Sequence, residues 1–363
     1  MDVINYFSPH YQAARSKFLE AATHAGLSIE SHLNPNTKGP DGGALYTDVA
    51  VWGDPKADRV LLANSATHGA EGFCGSGALV GWLRSGAYRA VPKNVKVVLV
   101  HAINPHGFAW IRRVTEDNVD LNRNFMPHNG GYPENPDYDA LHDVIVPKQW
   151  GADSLAAMEK AFDAYKQQHG AFAWQKALSQ GQYNHADGIF HGGNKPTWSN
   201  LTFRKIVGAH VQGAKHACFI DYHTGLGPYG TVDLIADGEP GSAELQRCFD
   251  WFVNNVSSPA LGNSTSPALH GVIKHAVVDM LEGTKVTSVT AEYGTYPLKS
   301  VLGAVIADNW LHARGDLDSA QGKELKAQMR KAFYPDEDDW KELVYLRSRQ
   351  FMSAAIGGLA EAQ

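Results

Sequence analysis

The chain reads as an α/β protein, a three-layer α/β/α arrangement around a mixed, mostly parallel central sheet. Three observations predict this. Short apolar runs alternate with longer amphipathic segments, the order of strands and helices in α/β folds. Four of the apolar runs end in polar residues able to do chemistry, as strands do at the ligand-binding edge of an open α/β sheet. The length, 363 residues, suffices to bury a sizeable core without staples.

Each element follows from its pattern. Residues 11–25 place Phe18, Leu19 and Ala22 on one helical face. Residues 34–43, rich in Pro, Gly and Asn, read as a loop. Residues 45–52 alternate as a strand, and Gly53-Asp54-Pro55 turns them into a second, 59–63. A turn over 64–72 leads into a Gly/Ala/Leu-rich helix, 73–83. Residues 95–100 form another buried strand. The segment 108–125 is unusually polar and directly follows a strand end, so it reads as an active-site loop. Residues 127–200 read as an insertion over the sheet, a lid or specificity element. It opens with a Pro/Gly/Asn-rich stretch, 129–139, and holds one long helix, 150–178. Then come a helix at 201–211 and a strand, 216–221, running straight into Tyr222-His223-Thr224-Gly225. A further strand (230–237), a helix (243–256) and a Ser/Pro/Gly-rich connection (257–271) follow. The strand 286–291 ends at Glu292, and helices at 298–313, 320–332 and 336–356 complete a single domain spanning 1–363.

Composition narrows the function. The formal net charge is −6 and no long basic run occurs, so the electrostatic footprint of nucleic-acid binding is missing. An apolar fraction of 44% and a charged fraction of 19% are ordinary for a soluble globular chain. No apolar stretch reaches the roughly 18 residues of a transmembrane helix. Residues 1–10 lack the basic-then-apolar order of a signal peptide. Three cysteines, Cys74, Cys218 and Cys248, give no disulfide framework. Cys74 and Cys218 sit in apolar runs and read as inert core thiols. A soluble, cytoplasmic setting is expected, without membrane or nucleic-acid partners and with an oligomer left open.

The chemistry gathers at four strand ends: His68/Glu71, the loop carrying Arg112 to Arg123, His223 and Glu292. His68, Glu71 and His223 offer two imidazoles and a carboxylate, a ligand set for one catalytic zinc per chain with an open position for water. Zinc lowers the pKa of that water toward neutrality. Glu292, unligated, accepts the water's proton and passes it to a leaving amine. Arg113 and Arg123 can hold an anionic group or polarise a carbonyl. Each residue has a plainer reading. His-x-x-Glu occurs by chance, His223 can be a core or capping histidine, Glu292 can sit in an ion pair, and Asp120 and Asp221 can simply pair with the arginines. The set points to a site.

The order His68-x-x-Glu71, Asp120-Leu121-Asn122-Arg123-Asn124-Phe125, His223, Glu292 resembles the zinc carboxypeptidase A-like superfamily, which includes succinylglutamate desuccinylases and aspartoacylases. The phrases Asn104-Pro105-His106-Gly107-Phe108 and Tyr222-His223-Thr224-Gly225 look most like a little-characterised bacterial branch of it. The resemblance spans about residues 45–310 and implies a zinc carboxypeptidase-like fold. It implies His68, Glu71 and His223 as zinc ligands and Glu292 as the base acting on the zinc water. It implies Asn122 and Arg123 as the pair gripping a substrate carboxylate, and Asp120 as the carboxylate orienting a zinc histidine. Arg113 is the candidate for stabilising the oxyanion, in competition with Arg112. Tyr293, Tyr296 and Tyr183 are candidates for a substrate-capping tyrosine. The segment 127–200 departs from the pattern.

These expectations describe a zinc-dependent hydrolase cleaving an amide bond beside a free carboxylate, on a peptide or small-molecule substrate. An N-acyl amino acid deacylase is the alternative. A non-catalytic pseudoenzyme holding an anionic ligand is the reading of another class, and Glu292 argues against it because binding alone needs no unligated base. A serine hydrolase is weaker, since Ser65 and Ser76 lack a nucleophile elbow.

Overall fold

The computed structural model describes residues 2–362. Met1, where the signal-peptide reading begins, and Gln363, where the single-domain span ends, lie outside the described residues. Among the described residues eight strands form one sheet: β1 (Ser28–Lys38), β2 (Ala44–Trp52), β3 (Arg59–Asn64), β4 (Val95–His101), β5 (His216–Thr224), β6 (Val232–Ala236), β7 (Val256–Ser257) and β8 (Lys285–Tyr293). Their order is β1-β2-β4-β3-β5-β8-β6-β7. The central four, β4-β3-β5-β8, are mutually parallel, while β2 and β6 flank them antiparallel. The expected mixed, mostly parallel sheet is present.

The helices are α1 (Tyr11–His24), α2 (Gly72–Arg84), α3 (Pro105–Trp110), α4 (Pro136–Ile145), α5 (Ala152–His169), α6 (Ala171–Ser179), α7 (Trp198–His210), α8 (Ala243–Phe252), α9 (Ile273–Met280), α10 (Leu298–Arg314), α11 (Ala320–Phe333) and α12 (Asp338–Glu361). Alternation along the buried strands feeds two layers. Leu61 and Ile220 point to a core with Phe18 of α1, Phe73 and Trp82 of α2 and Phe351 of α12. Leu62 and Phe219 point the other way, to Phe203 of α7 and Ile273 and Val277 of α9. Among the described residues no helix is long and apolar enough to cross a membrane. All three cysteines are free and buried.

Four expectations need correction. Residues 34–38, read as loop, belong to β1, an edge strand irregular between Asn34 and Lys38. Polar residues on both faces and Pro35 hid it, and an edge tolerates both. The single helix at 150–178 is two, α5 and α6, broken at Gly170, whose φ of +89° suits glycine. The Pro/Gly/Asn-rich stretch opening the insertion ends in α4, with Pro136 in its first turn and Asn135 as N-cap. The segment 108–125 begins inside α3, where Asn104 caps a helix started by Pro105. The insertion adds no strand to the sheet. It packs Tyr138, Leu141, Phe162 and Trp174 on Val301 and Val305 of α10 and Met329 and Phe333 of α11.

Candidate metal centre and its cleft

The sheet changes winding direction at β3. From β3 the chain crosses to β4 on one side and then to β5 on the other. The crevice beyond the carboxyl ends of two such strands is where open α/β sheets hold ligands. His68 lies in the turn after β3, and His223 lies near the end of β5. Glu292, on β8, is the register partner of His223.

The His68 turn is held from two sides. Asn104 N–H donates to Ala66 O, and Ala70 N–H donates to Arg112 O at 2.8 Å. Ala66 has φ +61°, a left-handed conformation unusual for a non-glycine residue two positions before His68. Gly69 and Gly72 serve close approach of neighbouring segments. A Cβ on Gly69 would lie 1.8 Å from the Gly107 carbonyl carbon, and one on Gly72 would lie 2.7 Å from the Phe108 ring.

Three side chains converge. His68 Nδ1 lies 2.9 Å from Glu71 Oε1, and His223 Nδ1 lies 3.0 Å from Glu71 Oε2 and 3.1 Å from His68 Nδ1. One ligand atom from each lies within 4.8 Å of the others. Each imidazole turns its other nitrogen to a carboxylate: His68 Nε2 to Asp120 at 3.1 Å and His223 Nε2 to Asp221 at 2.6 Å. Such partners place the proton on Nε2 and aim the Nδ1 lone pair inward, the arrangement usual behind metal-bound histidines. Arg113 Nη2 also lies 2.7 Å from His68 Nε2, while its Nε donates to Asp120 Oδ2 at 2.9 Å. Two donors cannot share that nitrogen. With a cation on the Nδ1 side, His68 Nε2–H would donate to Asp120 Oδ1 and Arg113 would keep its bond to the other carboxylate oxygen. Two nitrogens and one carboxylate around a shared point, with both imidazoles backed by anions, fit a zinc-type cation.

Electrostatics agree with an acidic pocket around that point. Burial opposes ionisation of Glu71, but His68 and His223 overcome it and hold its carboxyl below the usual range. Burial likewise opposes ionisation of Asp120, and Arg113 and His68 overcome it. Burial pushes the His223 imidazole down, yet Asp221 and Glu71 more than offset this and raise it well above an ordinary histidine. Glu292 is pushed up to about 8, first by burial and then by the charge of Glu71. It accepts one hydrogen bond, from Leu226 N–H at 2.9 Å.

A cleft opens here, lined by His68, Glu71, His223, Glu292, Arg113, Asn122 and Arg123. Asn122 Oδ1 accepts from Ile273 N–H at 2.8 Å, and Arg123 is 2% exposed with an Nε that has no partner among the described residues. Two site expectations fail. Arg112 is not on the cleft: it turns to Asp308 and Asn118, as neighbours along a chain turn opposite ways. Tyr293 follows Glu292 on β8 and therefore faces the opposite layer, bonded to Ser348 Oγ at 2.7 Å. Tyr296 lines a neighbouring groove, and Tyr183 donates to Arg123 O at 2.8 Å, so neither reaches this cleft.

Sequence reading missed several contributors. Asp221, read as an arginine partner, instead holds His223 and accepts from Asn64 Nδ2 and Thr67 Oγ1 at 2.7 and 2.8 Å. Its signal was available, since residues two apart on a strand share a face. Phe190, Gln175 and Ser179 bring the inserted segment to the cleft wall. Phe190 has φ +52° and places its ring 4.7 Å from the guanidinium carbon of Arg113 and 5.7 Å from that of Arg123. Lys274 also lines the cleft. Nothing in the local sequence marks these four.

No curated protein matches the sequence. Among solved structures, the chain is similar to carboxypeptidase A from Helicoverpa armigera, at 13% identity and a TM-score of 0.45, over 91% of this chain and 75% of that one. It is similar to thrombin activatable fibrinolysis inhibitor at 11% and 0.48, over 95% and 74%. It is similar to murein-tripeptide amidase MpaA from Escherichia coli O157 at 15% and 0.35, over 80% and 91%. A model of a family described as a protein of unknown function, DUF2817, matches residues 7–347. With that match running over nearly its whole length, the chain belongs to the DUF2817 family.

Proposed function

We propose that this chain is a zinc-dependent hydrolase that cleaves an amide bond beside a free carboxylate. The observation that carries the reading is the convergence of His68, Glu71 and His223 with Glu292 left unligated at the next strand. His68, Glu71 and His223 hold the cation, which when bound supplies Lewis-acid polarisation. Glu292 takes a proton from the attacking water as its oxygen bonds to the carbonyl carbon. As the carbon–nitrogen bond breaks, Glu292 gives that proton to the departing amine. A base must be ionised, and the positive charge of a cation beside Glu292 favours its carboxylate. Arg113 faces the developing oxyanion from the cleft wall. Asn122 and Arg123 grip the substrate carboxylate, with the unpartnered Arg123 Nε as a spare donor.

A deacylase acting on small N-acyl amino acids is the second reading. It is favoured by Gln175, Ser179 and Phe190, which wall one side of the cleft. Metal analysis tests the central point. About one zinc per chain is expected, lost in His68→Ala and His223→Ala. Folded protein without zinc affinity sinks the proposal. Turnover of acyl amino acids but not peptides selects the second reading.

A further inference from the structure

The cleft has an inner end that this chemistry does not use. It runs down the sheet from Glu292, opposite Asp233, to Thr290, opposite Ile235. Two residues of strand make that step about 7 Å deep. There lies the ammonium of Lys274, a residue 6% exposed. It donates to Ile235 O at 3.1 Å and pairs with Asp237 Oδ2 at 2.8 Å. An ammonium carries three N–H donors, so one has no acceptor among the described residues. Buried donors are rarely left so. Asp237 Oδ2 also lies 2.7 Å from His275 Nε2, so this carboxylate is already engaged by the side chains beside it rather than waiting for a substrate cation. Lys274 is moreover fixed against the carboxylate-gripping loop. Ile273 N–H donates to Asn122 Oδ1, and Phe125 N–H donates to Gly271 O at 3.1 Å.

We propose that Lys274 is a specificity-determining residue, and that the inner end of the cleft receives a second carboxylate, on the side chain of the amino acid whose main carboxylate meets Asn122 and Arg123. The substrate class is then an amide of an acidic amino acid of glutamate length. This rests on the hydrolase reading for its orientation, but its test does not need turnover. Titration calorimetry on the zinc-loaded protein with L-glutamate, L-glutamine and L-leucine reads the subsite directly. Glutamate is expected to bind about tenfold or more tighter than glutamine, and leucine weakest, as a charge-assisted hydrogen bond is gained. Lys274→Met is expected to erase the glutamate preference while a metal-content measurement still finds zinc. Equal affinity for glutamate and glutamine in the unmodified protein overturns the proposal, and that comparison stands even if Lys274→Met does not fold. A Lys274-dependent preference without hydrolysis of any glutamate amide supports the subsite and removes the hydrolase reading.

Discussion

In the proposed hydrolysis Glu292 is the residue on which catalysis turns, because it has a carboxylate's chemistry without a ligand's duty. Glu292→Gln keeps the side chain's volume and its bond from Leu226 but removes the base. Turnover is expected to fall about 10²–10⁴-fold while zinc content stays near one per chain. Steady-state kinetics beside metal analysis checks this, and unchanged turnover excludes Glu292 as the base. The carboxylates behind the imidazoles act differently. Asp221 is fully buried and holds His223 at 2.6 Å. In Asp221→Asn, zinc affinity is expected to drop about 10–100-fold, measured by competition with a chelator. A drop in turnover at saturating zinc, with affinity unchanged, contradicts that role. At this scale the convergence of His68, Glu71 and His223 with Glu292 was legible in the sequence because the chemistry expected of them is tied to residue type. Phe190 and Lys274 were not, since a phenylalanine over an arginine and a lysine under a sheet become visible only when distant segments meet.

Among elements, α10 and α11 carry a buried charge cluster behind the site. Asp308 of α10, 3% exposed, accepts from Lys326 Nζ of α11 at 2.5 Å and from Arg112 Nε at 3.3 Å. Lys326 also donates to Ile111 O at 2.9 Å, which holds the backbone leading to Arg113. Burial alone raises the Asp308 carboxyl, but Lys326 and Arg112 bring it below the usual carboxylate value. A depressed carboxyl stabilises the fold above its unfolded pKa of about 3.9 and loses that contribution as pH falls through its folded value. Asp308→Ala strands two buried cations, at a cost of about 3–5 kcal/mol at neutral pH. Denaturant unfolding across pH is expected to show that gap narrowing below about pH 4. A gap independent of pH argues against the ionic origin. The elements most legible in sequence were β3, β4, β5 and β8, whose burial on both faces leaves an apolar run. β1 and α4 were obscured because their Pro and Asn positions mimic loops.

For the whole molecule, the inserted segment is part of the core. Removing residues 131–188 strips Tyr138, Leu141, Phe162 and Trp174 from α10 and α11 and bares Val301, Val305, Met329 and Phe333. An apolar surface of that kind promotes association. The truncated chain is expected to aggregate or bind a hydrophobic dye rather than open a wider active site. A monodisperse, cooperatively folding truncation, seen by size exclusion and circular dichroism, contradicts this. The segment was read at about 127–200 from the break in strand–helix alternation, and its far bound falls inside α7. Its docking surface stayed hidden because the partners lie more than a hundred residues later.

The winding reversal at β3 also sets a timetable for biosynthesis. His68 and His223 end on adjacent strands but are separated by 155 residues of chain. At about 5–20 residues per second, the ribosome makes the second histidine roughly 8–30 s after the first. During that interval His68 and Glu71 form only half a coordination sphere, and β3 has no β5 to pair with. Metal acquisition at the proposed centre is thereby expected as a late event, coupled to closure of the sheet's middle rather than to emergence of the first ligands.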